Sequence, residues 1–133
     1  MALGISDMKS SAGHILYVED HEDTRYLVTY VLAQSNYTVI AAENYDDAMS
    51  RAQAHHFDLY LIDNWIFGGS GIELCQKLRE FDSGTPILFY SAAAYERDKQ
   101  QAFAAGAQGY LVKPAATEEL IEEVSRLISA RKE

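Results

Sequence analysis

At 133 residues with a 48% hydrophobic content, the chain has the size and composition of one globular domain with a substantial apolar core. Its formal charge of −9 argues against a nucleic-acid surface, and no apolar run approaches the roughly eighteen residues of a membrane span. The single cysteine, Cys75, cannot form an intrachain disulfide, which fits a cytoplasmic protein.

The chain starts with a small, polar and aperiodic segment, which we interpret as a flexible tail over residues 1–12 that lacks a secretory signal. Short apolar runs follow, and they predict strands. They are ILYV (15–18), TVIAA (38–42), LYLI (59–62), PILFY (86–90) and GYLV (109–112). Because none of these runs alternates with polar residues, both faces of each strand should be buried, as in parallel strands covered by helices.

Apolar residues at helical spacing predict a helix after each strand. The predicted helices cover 24–35, 45–54, 71–81, 95–105 and 117–131. Their apolar stripes include Leu27 in the first helix and Phe81 in the third, whereas the segment 95–105 has the weakest stripe. Five strands that alternate with five helices indicate one α/β domain over 13–132, with a doubly wound parallel sheet and helices on both faces.

Polar residues stand where four of the five predicted strands end. Glu19 and Asp20 follow the first strand, Asp63 the third, Ser91 the fourth and Lys113 the fifth. Parallel strands bring these ends to one edge, which is where such sheets bind ligands. Three carboxylates held close together repel one another unless a cation joins them, and Mg²⁺ prefers such oxygen ligands. With a lysine and a hydroxyl added, the set suits a phosphoryl group, which a carboxylate can itself accept.

The segments ILYVED, DLYLIDNWIFGGSGIEL, TPILFYSA and AFAAGAQGYLVKP, in this order and spacing, resemble the receiver domains of two-component response regulators, the CheY-like family. The resemblance covers roughly residues 13–132 and implies the flavodoxin-like strand order 2-1-3-4-5. It implies that Asp63 accepts a phosphoryl group from a sensor histidine kinase or a phosphotransfer protein. It also implies that Asp20, Asp63 and the backbone carbonyl of Trp65 bind Mg²⁺, with Glu19 assisting through water.

The same resemblance implies the roles of the remaining site residues. Ser91 and Lys113 would hold the phosphoryl oxygens, and Ser91 and Tyr110 would move inward on phosphorylation. Output would then come from the face formed by the fourth helix, fifth strand and fifth helix. That face would act on a downstream protein partner, on a second copy of the chain, or through an effector domain outside this sequence. A receiver is not a turnover enzyme and catalyses only its own phosphotransfer and slow dephosphorylation.

Two departures from the family pattern carry predictions. Phe67 stands four residues after Asp63, where the family usually has proline, and Gly68 and Gly69 follow, which predicts a less rigid loop. In receivers, the two places that Trp65 and Ala93 occupy here border the phosphoryl group. A bulky indole and an apolar residue there predict slow hydrolysis of the phosphorylated state.

Three alternatives compete with this interpretation. A receiver-like module that binds partners without phosphorylation is the strongest, because Phe67 departs from the pattern. A flavin binder is disfavoured because the acidic EDHED segment after the first strand would repel the flavin phosphate. A phosphatase of the haloacid-dehalogenase kind would need a second aspartate two residues after Asp20, where the chain has Glu22.

Overall fold

The computed structural model describes residues 11–132, which form a five-stranded parallel sheet with helices on both faces. The sheet strands are β1 (Gly13–Val18), β2 (Tyr37–Ala42), β3 (Leu59–Ile62), β6 (Ile87–Ser91) and β7 (Gly109–Val112). Their order is β2-β1-β3-β6-β7, and all neighbours are parallel. Counted within the sheet alone this is 2-1-3-4-5, which confirms the predicted flavodoxin-like order.

Two short strands, β4 (Trp65–Ile66) and β5 (Gly69–Ser70), form a separate antiparallel hairpin directly after the third sheet strand. Gly68 takes a φ of +90° at the hairpin tip, a backbone conformation that residues other than glycine rarely adopt. The amide N–H of Tyr45 donates to the Phe67 carbonyl at 2.9 Å. Backbone pairing within the hairpin and this contact with Tyr45 hold the segment, and its lower rigidity stays a prediction.

Within residues 11–132, four helices connect the sheet strands and a fifth follows the last strand, and their boundaries lie within two residues of those predicted. They are α1 (Glu22–Gln34), α2 (Tyr45–Ala54), α3 (Gly71–Phe81), α4 (Glu96–Ala105) and α5 (Thr117–Lys132). Side chains cap three of the amino ends: His21 accepts from the Thr24 amide, Asn44 from Asp47 and Ser70 from Glu73. Gly106 ends α4 with a φ of +119°, as its place in the sequence predicted.

The core is divided by the sheet into two apolar clusters, because adjacent residues of each strand point to opposite faces. One cluster packs α2 and α3 against residues such as Leu16 and Phe89. The other packs α1 and α5 against residues such as Tyr17 and Tyr90. The assignment of two residues to the apolar stripes was wrong. Leu27 is 61% exposed and Phe81 is 47% exposed, because the sheet covers a narrower face of α1 and α3 than helical spacing suggested.

The predicted tail lies mostly outside the described residues. Its last residue, Ala12, is described and donates its amide N–H to the carbonyl of Asn36 at 2.8 Å. The chain therefore contacts the residue before β2 ahead of the start of β1. No helix within residues 11–132 is long and apolar enough to cross a membrane.

Candidate functional site

Three of the predicted side chains meet at the carboxyl edge of the sheet. Val18 and Ile62 are register partners in β1 and β3, so Glu19 and Asp63 leave adjacent strands at the same level. The ammonium of Lys113, which follows β7, donates to Glu19 Oε1 at 2.6 Å and to Asp63 Oδ2 at 2.9 Å. The structure thus joins two carboxylates from different strands through one cation.

This cluster is shielded from water. The Glu19 and Asp63 side chains are 2% and 10% exposed, and that of Lys113 is 20% exposed. Burial by itself lowers the pKa of Lys113, but the hydrogen bonds and the charges of the two carboxylates outweigh it and raise that pKa above its ordinary value. Lys113 therefore stays protonated at neutral pH and places a positive charge beside Asp63.

Glu19 has further partners that hold its carboxylate in place. The Tyr17 hydroxyl lies 3.4 Å from Oε1, and the His21 amide N–H donates to Oε2 at 3.2 Å. The Arg25 guanidinium donates to the Glu19 backbone carbonyl at 2.9 Å. Glu19 is thus oriented toward Lys113 by contacts from β1 and from the start of α1.

Asp20 directly follows Glu19 in the chain, and its side chain is exposed. Within residues 11–132, no three acidic, histidine or cysteine side chains stand close enough together to hold a metal ion. The predicted crevice of three carboxylates is therefore a pair, Glu19 and Asp63, bridged by Lys113, and Asp20 does not join it. The donor set nevertheless fits Mg²⁺, because carboxylate and carbonyl oxygens are the ligands this ion prefers, and it accepts water for the rest.

Trp65 contributes its backbone to the same site. Its amide N–H donates to Asp63 Oδ1 at 3.3 Å, so both oxygens of the Asp63 carboxylate accept a hydrogen bond. The indole is 62% exposed and borders an open cleft of about 570 Å³ between α3 and α4. The cleft is also lined by the buried Asn64 and by polar side chains such as Asp98 and Gln101.

Ser91 and Tyr110 share a contact with Ala93. Ser91 is fully buried, and its Oγ accepts the Ala93 amide N–H at 3.2 Å. The Tyr110 hydroxyl donates to the Ala93 carbonyl at 2.6 Å, and its ring stacks on Phe89 with centroids 5.6 Å apart. Ala93 therefore contacts both residues that the resemblance assigned to the switch.

Sequence reasoning missed the aromatic residues that surround the charged cluster. Lys113 Nζ lies 5.4 Å from the centroid of the Tyr90 ring, and the Tyr17 hydroxyl contacts Glu19 Oε1. Both tyrosines were interpreted as residues packed in the sheet. The available signal was position, since Tyr90 precedes Ser91 and Tyr17 stands two residues before Glu19.

Comparison with known proteins places this geometry in a family. Residues 15–125 match the family described as the response regulator receiver domain. The chain is a response regulator receiver domain. Proteins of this family are signalling domains of two-component systems, for which phosphorylation and Mg²⁺ binding are general features.

Relatives and solved structures agree with this assignment. The chain is 36% identical over 114 residues to the transcriptional regulatory protein ResD of Bacillus subtilis and 32% identical over 114 residues to the response regulator ArlR of Staphylococcus aureus. Each match covers 86% of this chain but only 47% of ResD and 52% of ArlR, so this receiver spans about half the length of these relatives.

Two solved receivers have the same fold. The chemotaxis protein CheY4 of Vibrio cholerae is 30% identical, with a TM-score of 0.82 over 86% of this chain and 97% of that one. The receiver domain of the Francisella response regulator 1452 is 23% identical, with a TM-score of 0.84 over 89% of this chain and 98% of that one.

Proposed function

We propose that Asp63 is the phosphoacceptor of this receiver and that it takes its phosphoryl group from a sensor histidine kinase or a phosphotransfer protein in the cytoplasm. The observation that carries this proposal is the Lys113 ammonium 2.9 Å from Asp63 Oδ2 at the carboxyl edge of the sheet. A buried carboxylate beside a fixed cation can accept a phosphoryl group whose negative charge is neutralised where it arrives.

The transfer requires one bond to form and one to break. An Asp63 carboxylate oxygen attacks the phosphorus of phosphohistidine, forming an O–P bond while the N–P bond breaks. The electron pair of that bond returns to the histidine nitrogen of the donor. Lys113, already within hydrogen-bond distance of the acceptor, then binds a phosphoryl oxygen, and the Ser91 hydroxyl donates to another.

Asp20, Asp63 and the Trp65 backbone carbonyl would hold Mg²⁺, with Glu19 assisting through water. When bound, the ion supplies positive charge to the phosphoryl oxygens. Since Glu19 is bonded to Lys113 in the structure, the exposed Asp20 is the carboxylate most open to a cation.

Phosphorylation would be transmitted through Ala93. Movement of the Ser91 hydroxyl toward the phosphoryl group breaks its contact with the Ala93 amide, and the Ala93 carbonyl is the acceptor for Tyr110. The conformation of the surface formed by α4, β7 and α5 would then change, over residues 92–112 and 117–130. This change would alter binding to a downstream partner, an effector domain or a second copy. The helix α4 suits such movement because Ala102 is its one fully buried residue among those described.

Intact-mass spectrometry after incubation with acetyl phosphate and Mg²⁺ tests the acceptor. We expect one phosphoryl adduct on the wild type that disappears when EDTA removes the metal and when Asp63→Asn is introduced. Asp58→Asn is the matched control, because Asp58 precedes the same strand and accepts the His14 amide at the opposite edge of the sheet. An adduct that survives Asp63→Asn would assign another acceptor, and no adduct with any donor would favour the phosphorylation-independent module.

Hydrogen–deuterium exchange tests the output face. We expect exchange over residues 92–112 to change when the wild type is phosphorylated and to stay unchanged in Asp63→Asn under the same conditions. An adduct on Asp63 with no change in exchange on this face would contradict the proposed route through Ala93.

A further inference from the structure

The side chain of Lys113 has a third neighbour besides its two carboxylates. The Tyr90 ring lies beneath the ammonium, with 5.4 Å between Nζ and the ring centroid. Tyr90 is 8% exposed, so the ring is fixed in the apolar cluster under α5. A cation at this distance from an aromatic face is attracted to it, and the attraction grows where water is excluded.

The strand register explains why these two side chains meet. Tyr90 and Leu111 are partners in β6 and β7, and side chains of a strand alternate between its faces. Lys113, two residues after Leu111, therefore leaves the sheet on the same face as Tyr90. The Lys113 amide N–H donates to the Ser91 carbonyl at 2.9 Å, which continues this register past the end of β7.

Two carboxylates compete for the Lys113 ammonium. The Glu19 contact, at 2.6 Å, is shorter than the Asp63 contact, at 2.9 Å. A lysine ammonium is a point charge on a flexible four-carbon stem, so two carboxylates on neighbouring strands do not by themselves fix its position. A rigid ring below the ammonium restricts the stem and keeps the charge between both acceptors.

Building on the proposed phosphotransfer, we infer that Tyr90 is a positioning residue: its ring face holds the Lys113 ammonium between Glu19 and Asp63, where the incoming phosphoryl group needs it. The ring, and not the hydroxyl, supplies this contact. Tyr90→Phe should therefore preserve it, whereas Tyr90→Leu should remove it while keeping an apolar side chain at the position.

The rate constant for phosphorylation by acetyl phosphate at saturating Mg²⁺ tests this role. We expect Tyr90→Leu to be about five- to tenfold slower than the wild type, and Tyr90→Phe to be within about twofold of it. Tyr37→Leu is the matched control for lost packing, because Tyr37 is a similarly buried tyrosine of the same cluster at the start of β2. Its rate should stay within about twofold of the wild type at a temperature where all variants are folded.

A second readout follows the ammonium itself. In the ¹⁵N NMR spectrum, an ammonium held by two carboxylates and a ring should give a slowly exchanging Lys113 Nζ signal, assigned by its loss in Lys113→Arg. We expect the signal in the wild type and in Tyr90→Phe, and its loss by exchange broadening in Tyr90→Leu.

The outcomes separate this inference from the proposed function. A Tyr90→Leu rate equal to the wild type, a Tyr90→Phe rate as low as that of Tyr90→Leu, or an equal loss in Tyr37→Leu would each overturn the positioning role. If the wild type itself accepts no phosphoryl group, the proposed function fails. The NMR comparison still decides whether the ring holds the ammonium, because it needs no phosphorylation.

Discussion

Replacing Lys113 by methionine should destabilise the fold because it leaves two buried carboxylates without their cation. Methionine retains most of the apolar stem, so the change isolates the ammonium. Removing one partner of a buried ion pair costs about 3–5 kcal/mol. Because the Lys113 side chain is 20% exposed, we expect the lower end, about 3 kcal/mol in the free energy of unfolding.

Urea unfolding followed by circular dichroism measures this loss. With a slope of about 1–3 kcal/mol per molar urea, the midpoint should fall by about 1–3 M. Adding Mg²⁺ should restore more stability to Lys113→Met than to the wild type, because the carboxylates of the variant have no competing cation.

Lys77→Met is the control for this experiment. Lys77 pairs with Glu80 at 3.5 Å, but both side chains are more than half exposed, so little change is expected. A loss below about 1 kcal/mol in Lys113→Met, or an equal loss in Lys77→Met, would refute the view that the ammonium neutralises a buried pair.

Three further predictions concern the lifetime, the stability and the pH dependence of the domain. Trp65→Asn should hydrolyse its phosphorylated acceptor several-fold faster than the wild type, and equal or slower loss of the adduct in mass spectra would contradict the expected shielding. Arg79→Met should lower the free energy of unfolding by about 3 kcal/mol, because the guanidinium makes five hydrogen bonds, two of them to the Gly106 carbonyl. A melting temperature within experimental error of the wild type would show that water replaces those bonds without cost. The raised pKa of Lys113 predicts that its stabilising contribution is complete below its ordinary pKa of 10.5 and is lost as the pH rises through the higher folded value. The difference in the free energy of unfolding between wild type and Lys113→Met should therefore shrink as urea titrations are repeated at pH values above 10.5. A difference that stays constant would contradict a stabilising role of the Lys113 charge.

The fold class and the location of the site could be predicted because both depend on local patterns. Apolar runs without alternation marked strands buried on both faces, and helical spacing marked the segments between them. The residues directly after those runs then followed from the geometry of parallel sheets, which is why Glu19, Asp63 and Lys113 could be assigned to one edge. Their grouping is confirmed by the distances within the cluster.

Other features could not be predicted because they depend on contacts between distant segments. Lys113 and Glu19 are 94 positions apart, and the preference of the ammonium for Glu19 over Asp20 depends on which side chain is buried. The hairpin after Asp63 is held in part by Tyr45 from another layer. The exposure of Phe81 depends on how much of its helix the sheet covers.

The chain order of apolar and polar residues was thus sufficient to predict a doubly wound parallel sheet with an acidic edge, since periodicity and strand ends are short-range properties. The pairing of each charge, the ring beneath Lys113 and the link from Ser91 through Ala93 to Tyr110 came from packing and strand register. Hydrogen bonds and cation–aromatic contacts act over a few ångströms, so their partners are known only once the folded chain brings distant residues together.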